Sequence, residues 1–316
     1  MTARVQVRFA GPHVSVQDAG RPGLARFGVP QSGPMDRTAA AAASLALGNP
    51  AGGPCIEVSM GGLTLDCLSG AVSFATAGGG FIQDHAGNRA GVWQVATLRA
   101  GESLTLRPGP WGTWSYIAFA GALQVPEWLG ATATHSQSGF GGGQLAAGQV
   151  IDISVPRLLP DRNLTCPAFA RPLTEIRATL GPQDRFFTAH QIDSLEAAVW
   201  RLSGAYDRMG VRLAGPKIPP DAPLDMPSEP VAKGAVQVTG DGVATVLLAD
   251  HQTTGGYPKI ATVLDADLDR FAQLRPGQGF RFRLVTPEQA VLHARQIARR
   301  RESWLDAVGR NLDKLV

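Results

Sequence analysis

The chain has 316 residues, enough for two domains of ordinary size, so a single small module is excluded. Its 29 basic and 26 acidic residues leave a net charge of +3, too small for the electrostatic footprint of a nucleic-acid-binding protein. The 38 glycines and 23 prolines indicate many short elements joined by tight turns and exclude a helical bundle.

The first half of the chain is predicted to consist mainly of strands. The alternation VQVRF at 5–9 is typical of a strand with one buried face. One helix is predicted over 35–47, because Asp36 lies in its first turn and a Gly-Asn-Pro run follows it. From 56 to 155, short β-rich runs alternate with glycine turns, as in a sandwich or barrel. The predicted fold class is therefore mainly β with short helices, built on a β-barrel.

Three stretches of the chain share one pattern, a Leu, a Gly three residues later and then an alternating strand. They are LRAGESLTLR at 98–107, LAAGQVIDIS at 145–154 and LRPGQGFRFR at 274–283. Each predicts a turn that leads into a barrel strand. Their distribution suggests two related β units, and both duplication and chance stay open as its origin.

The Pro- and Arg-rich stretch 156–172 is predicted to separate two domains. The expected division is an N-terminal barrel domain over 1–165, a C-terminal barrel domain over 173–286 and a helical tail over 287–316.

Helices are also expected around 193–202 and 265–274 in the second half. The tail carries apolar residues at helical spacing and a basic cluster at 299–301. We interpret it as a solvated helix docked by one face, with a partner-binding or membrane-surface helix as the alternative.

Several classes of chemistry lack their motifs in this sequence. The three cysteines are odd in number and too widely spaced for a CxxC pair, which indicates buried thiols in a reducing compartment. The histidine spacings predict no metal site. With no signal-peptide pattern and only short apolar runs, a cytoplasmic protein without membrane or nucleic-acid partners is expected. The sequence contains neither a Walker A loop nor a G-x-S-x-G motif, whereas a Ser/His/Asp triad stays open.

Polar side chains gather in four islands, at 17–37, at Glu57, at 206–210 and at 227–259. An Asp/Arg pair can hold a planar carboxylate or amide substrate, because the guanidinium donates a bidentate hydrogen bond. The same pair can instead pin a turn, and both interpretations stay open. The run QTTGGYPK at 252–259 offers hydroxyls, a Gly-Gly backbone and a lysine to phosphate or carboxylate.

Four runs at these islands carry a resemblance to a known family. They are VQDAGRPGLARFGVPQSGPMDR, ALGNP with the following IEVSMGG, YDRMGVRLAGP, and LLADHQTTGGYPKIATV. Over nearly all of 4–286 the chain resembles the allophanate hydrolase subunit 2 family, which is also known as the family of biotin-dependent carboxyltransferases or of 5-oxoprolinase C subunits. The resemblance implies two tandem cyclophilin-like β-barrel domains. His251 departs from the family pattern, in which many members have arginine.

The four islands supply the candidate site residues, and Asp18, Arg21, Asp36, Asp207 and Arg208 among them also match the family pattern. Asp18, Glu57 and Asp207 are the candidate catalytic carboxylates. The candidates for binding substrate or phosphate are Arg21, Asp36, Arg208, Glu229, Gln237, Gln252, Thr253, Gly255, Gly256, Tyr257 and Lys259. The arginines would hold anions, and the lysine with the Gly-Gly backbone would meet phosphate.

The resemblance implies a component of an ATP-dependent 5-oxoprolinase that converts 5-oxoproline to L-glutamate, with ATP bound by the complex. The implied partners are a protein like the B subunit of 5-oxoprolinase and an A subunit of the LamB/YcsF type, and the substrate is a small amide. The charged share of 17%, against roughly 25% in an average soluble domain, also favours a covering partner.

Two alternatives stay open. One is the carboxyltransferase component of a biotin-dependent urea carboxylase or allophanate hydrolase system, with biotin supplied in trans, since none of the four lysines has the Met-Lys-Met context of a biotin acceptor. The other is a non-enzymatic regulator that binds a kinase-inhibitor partner.

Overall fold

The computed structural model describes residues 2–221 and 226–310. The chain divides into two compact units. The first comprises 2–21, Ser32–Arg171 and 301–310, and the second comprises Pro22–Gln31 and the described part of Pro172–Arg300. The domain limits at 1–165, 173–286 and 287–316 stay a prediction, and residues 311–316 of the expected tail lie outside the described residues.

The first unit is built on one eleven-stranded antiparallel sheet, and helix α1 (Arg37–Leu45) and the last residues of helix α4 (Pro287–Arg310) belong to its described part. Its strands are β1 (Thr2–Ala10), β2 (Ser15–Gln17), β3 (Cys55–Val58), β4 (Leu63–Ser69), β5 (Ala71–His85), β6 (Asn88–Gly91), β7 (Gln94–Arg99), β8 (Ser103–Phe119), β9 (Ala122–Gln124), β10 (Val150–Ser154) and β11 (Arg162–Asn163). The main path runs β11-β7-β5-β8-β4-β1-β10-β9, with β6 paired to β5, β3 to β8 and β2 to β3.

Helix α1 (Arg37–Leu45) of the first unit confirms the predicted helix. Asp36 caps it, since the carboxylate accepts a hydrogen bond from the backbone N–H of Ala39 at 2.9 Å. Five of the nine helical residues are alanine, so the helix can bury most of its surface.

The second unit contains a closed barrel of seven strands in the order β12-β19-β16-β17-β14-β13-β20, in which β20 returns to pair with β12 in parallel. Its elements are β12 (Glu175–Leu180), α2 (Ala189–Ala197), β13 (Trp200–Tyr206), β14 (Gly210–Ala214), β15 (Glu229–Pro230), β16 (Ala235–Val238), β17 (Ala244–Leu247), β18 (Thr254–Gly255), β19 (Lys259–Val263), α3 (Asp265–Ala272) and β20 (Gly279–Leu284). Strands β15 and β18 form a separate pair.

The barrel of the second unit closes around aromatic rings. Phe280 and Phe282 on β20 lie edge to face at 5.0 Å, and Phe271 and Trp200 extend the stack at 5.3 and 6.1 Å. All four side chains are buried. Edge-to-face contacts favour a fixed ring packing beyond the area that they bury.

Helix α4 (Pro287–Arg310) confirms the helix predicted from residue 287, and α3 confirms the one predicted around 265–274. The helix predicted at 193–202 is wrong in its limits. Thr188 and Gln191 form a capping box that begins α2 at Ala189, and the chain is already a strand from Trp200.

The three repeated stretches do form the same turn before a strand. Their glycines, Gly101, Gly148 and Gly277, all adopt left-handed φ angles of +85°, +88° and +82°. In each turn the next residue, Glu or Gln, accepts a side-chain hydrogen bond from the backbone N–H three residues earlier, at 2.8, 3.2 and 2.8 Å. These residues precede β8, β10 and β20.

The predicted class, mainly β with short helices and a barrel, is confirmed. Among the helices that the structure describes, none is both long and apolar enough to cross a membrane.

Candidate functional site

The candidate residues of the first unit belong to a first polar cluster, made of Asp18, Arg21, Asp36, Glu57 and Tyr116. Asp18 follows β2, and its carboxylate accepts four hydrogen bonds. The donors are the backbone N–H groups of Gly20, Thr132 and Ala133, at 2.8, 2.6 and 3.1 Å, and the hydroxyl of Thr132 at 3.0 Å. This carboxylate therefore fastens the loop at 132–133 to the segment after β2.

Arg21 holds the same loop from a second position. Its guanidinium donates to the carbonyl oxygen of Trp128 at 3.3 Å and to that of Ala133. It also lies 4.8 Å from the centre of the Trp128 indole. Because only 3% of Arg21 is exposed, these contacts are made in a largely desolvated environment.

Glu57 and Asp36 are joined through Tyr116. The fully buried Glu57 carboxylate accepts hydrogen bonds from the Tyr116 hydroxyl and from the backbone N–H of Met35, both at 2.8 Å. The Tyr116 hydroxyl accepts one from the backbone N–H of Asp36 at 2.7 Å. Burial, and then the Glu57 charge, raises the pKa of Tyr116 well above its ordinary value, so the phenol stays a donor.

A second polar cluster, in the second unit, consists of Gln183, Glu229, Gln237, Gln252 and Lys259. The Lys259 ammonium lies 3.1 Å from the Glu229 carboxylate, which also accepts a hydrogen bond from the Gln183 amide at 2.8 Å. The Gln183 carbonyl oxygen in turn accepts from the backbone N–H of Lys259 at 3.2 Å. Only 3% of the Lys259 side chain is exposed, against 37% for Glu229.

The other two amides of the second cluster form hydrogen bonds at the loop 253–256. The Gln237 amide donates to the carbonyl oxygen of Gly256 at 3.0 Å, and the Gln252 amide donates to the Gln237 side chain at 3.3 Å. Pairing of Glu229 with Gly255, between β15 and β18, ties the loop to the Lys259 half of the cluster.

Gly256 leaves space beside the second cluster. A Cβ atom built at this position meets no heavy atom within 4 Å, and the backbone is not in the left-handed region. A small ligand can therefore approach the backbone at Gly256. Tyr257 follows it with a φ of +67° and half of its surface exposed.

The carboxylate of Glu229 and the imidazole of His251 both have lowered pKa values. For Glu229 the first cause is the hydrogen bond from Lys259. For His251 it is burial, which disfavours the charged imidazolium. His251 is therefore held neutral at the position where the family resemblance implies arginine.

Arg208 and Asp207 make different contacts. Arg208 forms a bidentate ion pair with Asp250, with N–O distances of 2.9 and 3.0 Å, and both side chains are buried. Asp207 accepts hydrogen bonds from the backbone N–H groups of Met209 and Gly210 and so closes the turn between β13 and β14.

The structure thus brings together many of the predicted residues. Asp18 and Arg21 bind the same loop by hydrogen bonds. Tyr116 links the backbone of Asp36 to the Glu57 carboxylate, and the predicted residues of 229–259 lie close to Lys259. Tyr116 and Gln183 were missed by the sequence analysis, since one lies in an apolar run and the other outside the four islands. The catalytic and ligand-binding roles of the predicted residues stay predictions.

The loop at 253–256 and Lys259 are predicted to meet phosphate, and ATP is expected to be bound by the complex. Gly256 has the space for close approach, but the Lys259 ammonium is buried against Glu229. As they stand, these residues do not fit a triphosphate cradle, and we derive no chemical step through ATP from them. In the part of the chain that the structure describes, no group of three or more His, Cys, Asp or Glu side chains is arranged for a metal ion.

The fold and the sites define a mainly β protein. Its second unit contains a closed barrel, and each of the two units contains a polar cluster. Residues 27–284 match the carboxyltransferase domain family, subdomains A and B, and the chain belongs to this family. The resemblance carried by the four sequence runs is thereby confirmed.

Three known proteins show how far the similarity extends. The chain is 32% identical to the 5-oxoprolinase C subunit of Haemophilus influenzae over 303 residues, which cover 95% of this chain and 96% of that one. It is 34% identical to the 5-oxoprolinase C subunit of Escherichia coli, over 91% of this chain and 93% of that one. The crystal structure of the Kluyveromyces lactis urea carboxylase superposes with a TM-score of 0.86 at 26% identity, over 96% of this chain but 29% of that one.

Proposed function

We propose that the chain is the C subunit of a 5-oxoprolinase, which opens the lactam of 5-oxoproline to L-glutamate with a B-type and an A-type subunit. The observation that carries the proposal is length. The chain matches two proteins named as C subunits of 5-oxoprolinase almost from end to end, whereas it covers 29% of the urea carboxylase chain.

The proposed reaction is the hydrolysis of a cyclic amide, and it would be driven by ATP. Water adds to the lactam carbonyl carbon, the C–N bond breaks, and the nitrogen takes a proton to become the amino group of glutamate. An unstrained amide is a poor electrophile, and ATP bound by the complex would supply the free energy for ring opening through its own hydrolysis to ADP and phosphate.

The second polar cluster supports binding of such a substrate. Three primary amides, one ammonium and one carboxylate converge there, and they complement the N–H, carbonyl and carboxylate groups of a lactam acid. Gly256, which has open space at its Cβ position, is joined to these groups by the hydrogen bond from Gln237.

The test is ATP-dependent release of glutamate from 5-oxoproline by the reconstituted subunits, with carboxylation of urea measured on the same preparation. We expect glutamate release and no urea carboxylation. Urea carboxylation with biotin supplied in trans would replace the proposal with the carboxyltransferase alternative, which the fold similarity to urea carboxylase supports. Absence of both activities would leave the regulator.

The variant Gly256→Ala tests the location of the site separately. Its methyl group fills the open space without a clash, so we expect normal folding and at least a tenfold loss of turnover. Gly204→Ala is the matched control, since Gly204 also has an open Cβ position and no left-handed φ. Full turnover by Gly256→Ala would overturn the site, while the glutamate assay on the unmodified complex still decides the function.

A further inference from the structure

The first unit contains a cavity of about 380 Å³ that neither polar cluster uses. It is lined by Gly80, Phe81, Ile82, Gly91, Val92, Trp93, Pro110, Trp111, Cys166 and Arg171. This volume lies at the small end of the roughly 300–1,000 Å³ that is usual for small-molecule sites. The lining contains three aromatic rings and one cation, and none of these ten residues is acidic.

The aromatic walls are held in place by specific contacts. The Trp111 ring lies against Gly80, where a Cβ atom would be 2.3 Å from the indole nitrogen. Trp93 adopts a φ of +80°, which is rare for a bulky residue, and its indole N–H donates to the carbonyl oxygen of Gly78 at 2.9 Å. Trp304 packs edge to face on Trp93 with 5.8 Å between ring centres.

The contacts that fix Trp93 and Trp111 favour ligand binding at the cavity. Walls that are fixed before a ligand arrives lose little conformational entropy when it binds. Strained backbone supported by its surroundings is also frequent at ligand sites. The Trp93 wall has both properties, and Phe169 fixes Trp304 from another side at 5.7 Å.

Among the lining residues, the charged side chain is that of Arg171. Its guanidinium carbon lies 4.8 Å from the centre of the Trp111 ring. An arginine stacked on an indole keeps its N–H groups in the plane of the guanidinium, where they can donate to a carboxylate. Cys166 is half-buried, and burial raises the pKa of its thiol, so it adds no negative charge at neutral pH.

We propose that this cavity binds a planar organic anion, with a flat ring system against the indoles of Trp93 and Trp111 and an acidic group at Arg171. The site is separate from the proposed reaction and does not depend on it. Its ligand would be an aromatic or conjugated carboxylate of about bicyclic size.

The test is isothermal titration calorimetry of the full chain with naphthalene-2-carboxylate. The comparison compounds are 2-naphthylmethanol, which lacks the charge, and cyclohexanecarboxylate, which lacks the flat ring. We expect binding of the naphthoate at least tenfold tighter than that of either comparison compound. Equal binding of the alcohol, or no heat from the naphthoate up to millimolar concentration, would overturn the proposal.

Two variants locate the binding. Gly91 lines the cavity, and a Cβ atom there meets no heavy atom within 4 Å in a backbone that is not left-handed, so Gly91→Leu adds a bulky side chain at the cavity wall and should weaken naphthoate binding at least tenfold. Gly204→Leu, which also extends into open space but in the second unit, should bind as the unmodified chain does. Arg171→Gln should remove the preference for the acid over the alcohol, and Arg171→Lys should keep part of it. Unchanged binding by Gly91→Leu places the naphthoate elsewhere and refutes the cavity.

A measurement on the unmodified chain tests the site even if a variant does not fold. Cys166 lines the cavity, whereas Cys55 and Cys67 are buried elsewhere. Saturating naphthoate should slow alkylation of Cys166 by iodoacetamide at least fivefold, followed by mass spectrometry, and leave the other two cysteines unaffected. An unchanged alkylation rate at saturation would also refute the site.

Discussion

The guanidinium of Arg208 and the carboxylate of Asp250 are almost completely buried, with 1% and 0% of their side chains exposed. The sequence predicts an anion beside Arg208, because the guanidinium donates a bidentate hydrogen bond that matches a carboxylate. In the structure Arg208 makes this bidentate hydrogen bond, and the carboxylate that accepts it belongs to Asp250 of the same chain. Such a pair stabilises a fold mainly because loss of either partner leaves a buried, uncompensated charge.

We expect Asp250→Ala to lower the free energy of unfolding of the isolated chain by about 3–5 kcal/mol, because it removes the carboxylate that balances the buried Arg208 charge. Arg208→Lys, which keeps the charge and loses the bidentate geometry, should cost about 1.5–3 kcal/mol. Urea-induced unfolding measures both. The control is Lys217→Ala, which breaks a pair exposed by 60% and 69% and should lower the stability much less than either variant.

The opposite result for Arg208→Lys would support the prediction that Arg208 binds a ligand. A variant of unchanged stability that has lost complex turnover would indicate that the guanidinium acts on a ligand.

His251 predicts a pH dependence of stability. Its folded-state pKa is lowered, first by burial and then by the Lys233 charge, although its hydrogen bond to the Gln252 carbonyl and the Asp250 charge act in the opposite direction. In the pH range below the ordinary value of 6.5, the unfolded chain therefore binds more protons than the folded one, and stability falls as pH falls.

His251→Gln removes this titration. We expect the free energy of unfolding of the unmodified chain to decline more steeply than that of the variant between pH 7.5 and 5.5. The difference between the two curves cancels the other histidines. Parallel curves would show that His251 titrates in the folded protein as it does in the unfolded one.

At the scale of elements, the repeated turns show what local sequence can specify. Each Leu-x-x-Gly-Glu/Gln run forms its turn from contacts within four residues, so the same letters give the same geometry in both units. Local signals also made α1 predictable, although Asp36, which was expected in its first turn, is its cap. The limits of α2 were missed because the capping box at Thr188 lies outside the apolar pattern that suggested a helix at 193–202.

The turn glycines give a prediction for this scale. Gly148 has a φ of +88°, and a Cβ atom there meets no heavy atom within 4 Å, so Gly148→Ala adds backbone strain without a steric clash. We expect a loss of about 1–2 kcal/mol, the usual cost of the left-handed region for an L-residue. Gly204→Ala, with an open Cβ position and no left-handed φ, should cost less in the same thermal unfolding measurement. Equal melting temperatures for the two variants would contradict the strain.

At the scale of the whole molecule, the candidate sites were only partly predictable. The polar islands follow from composition, since polar residues are few and gather near glycines. Their partners depend on strand register. Glu57 meets Tyr116 because β3 pairs with β8 at these two residues, and Gln183 reaches Lys259 from 76 residues away. Such long-range pairings depend on how the whole sheet closes, which no local pattern contains.

For the whole molecule, the low share of charged residues and the exposed apolar side chains favour a second protein that covers part of the surface. Leu129 and Phe140 are 54% and 53% exposed, and Phe140 stacks on Trp128 at 4.9 Å, beside the loop that Asp18 and Arg21 hold. A rigid loop that presents apolar side chains loses little entropy when a second protein covers it.

We therefore expect a stable complex when this chain is expressed together with the B-type subunit of the proposed enzyme. Light scattering should give the mass of a complex, and two species that elute independently at micromolar concentration would contradict it. Phe140→Ser should weaken the complex at least tenfold, because a buried aromatic side chain is a strong interface contact. Leu158→Ser, at a side chain of similar 62% exposure, is the control and should leave the affinity unchanged if the partner covers the loop around Phe140. Loss of the complex in both variants would indicate a wider interface, and loss in Leu158→Ser alone would move the interface away from this loop.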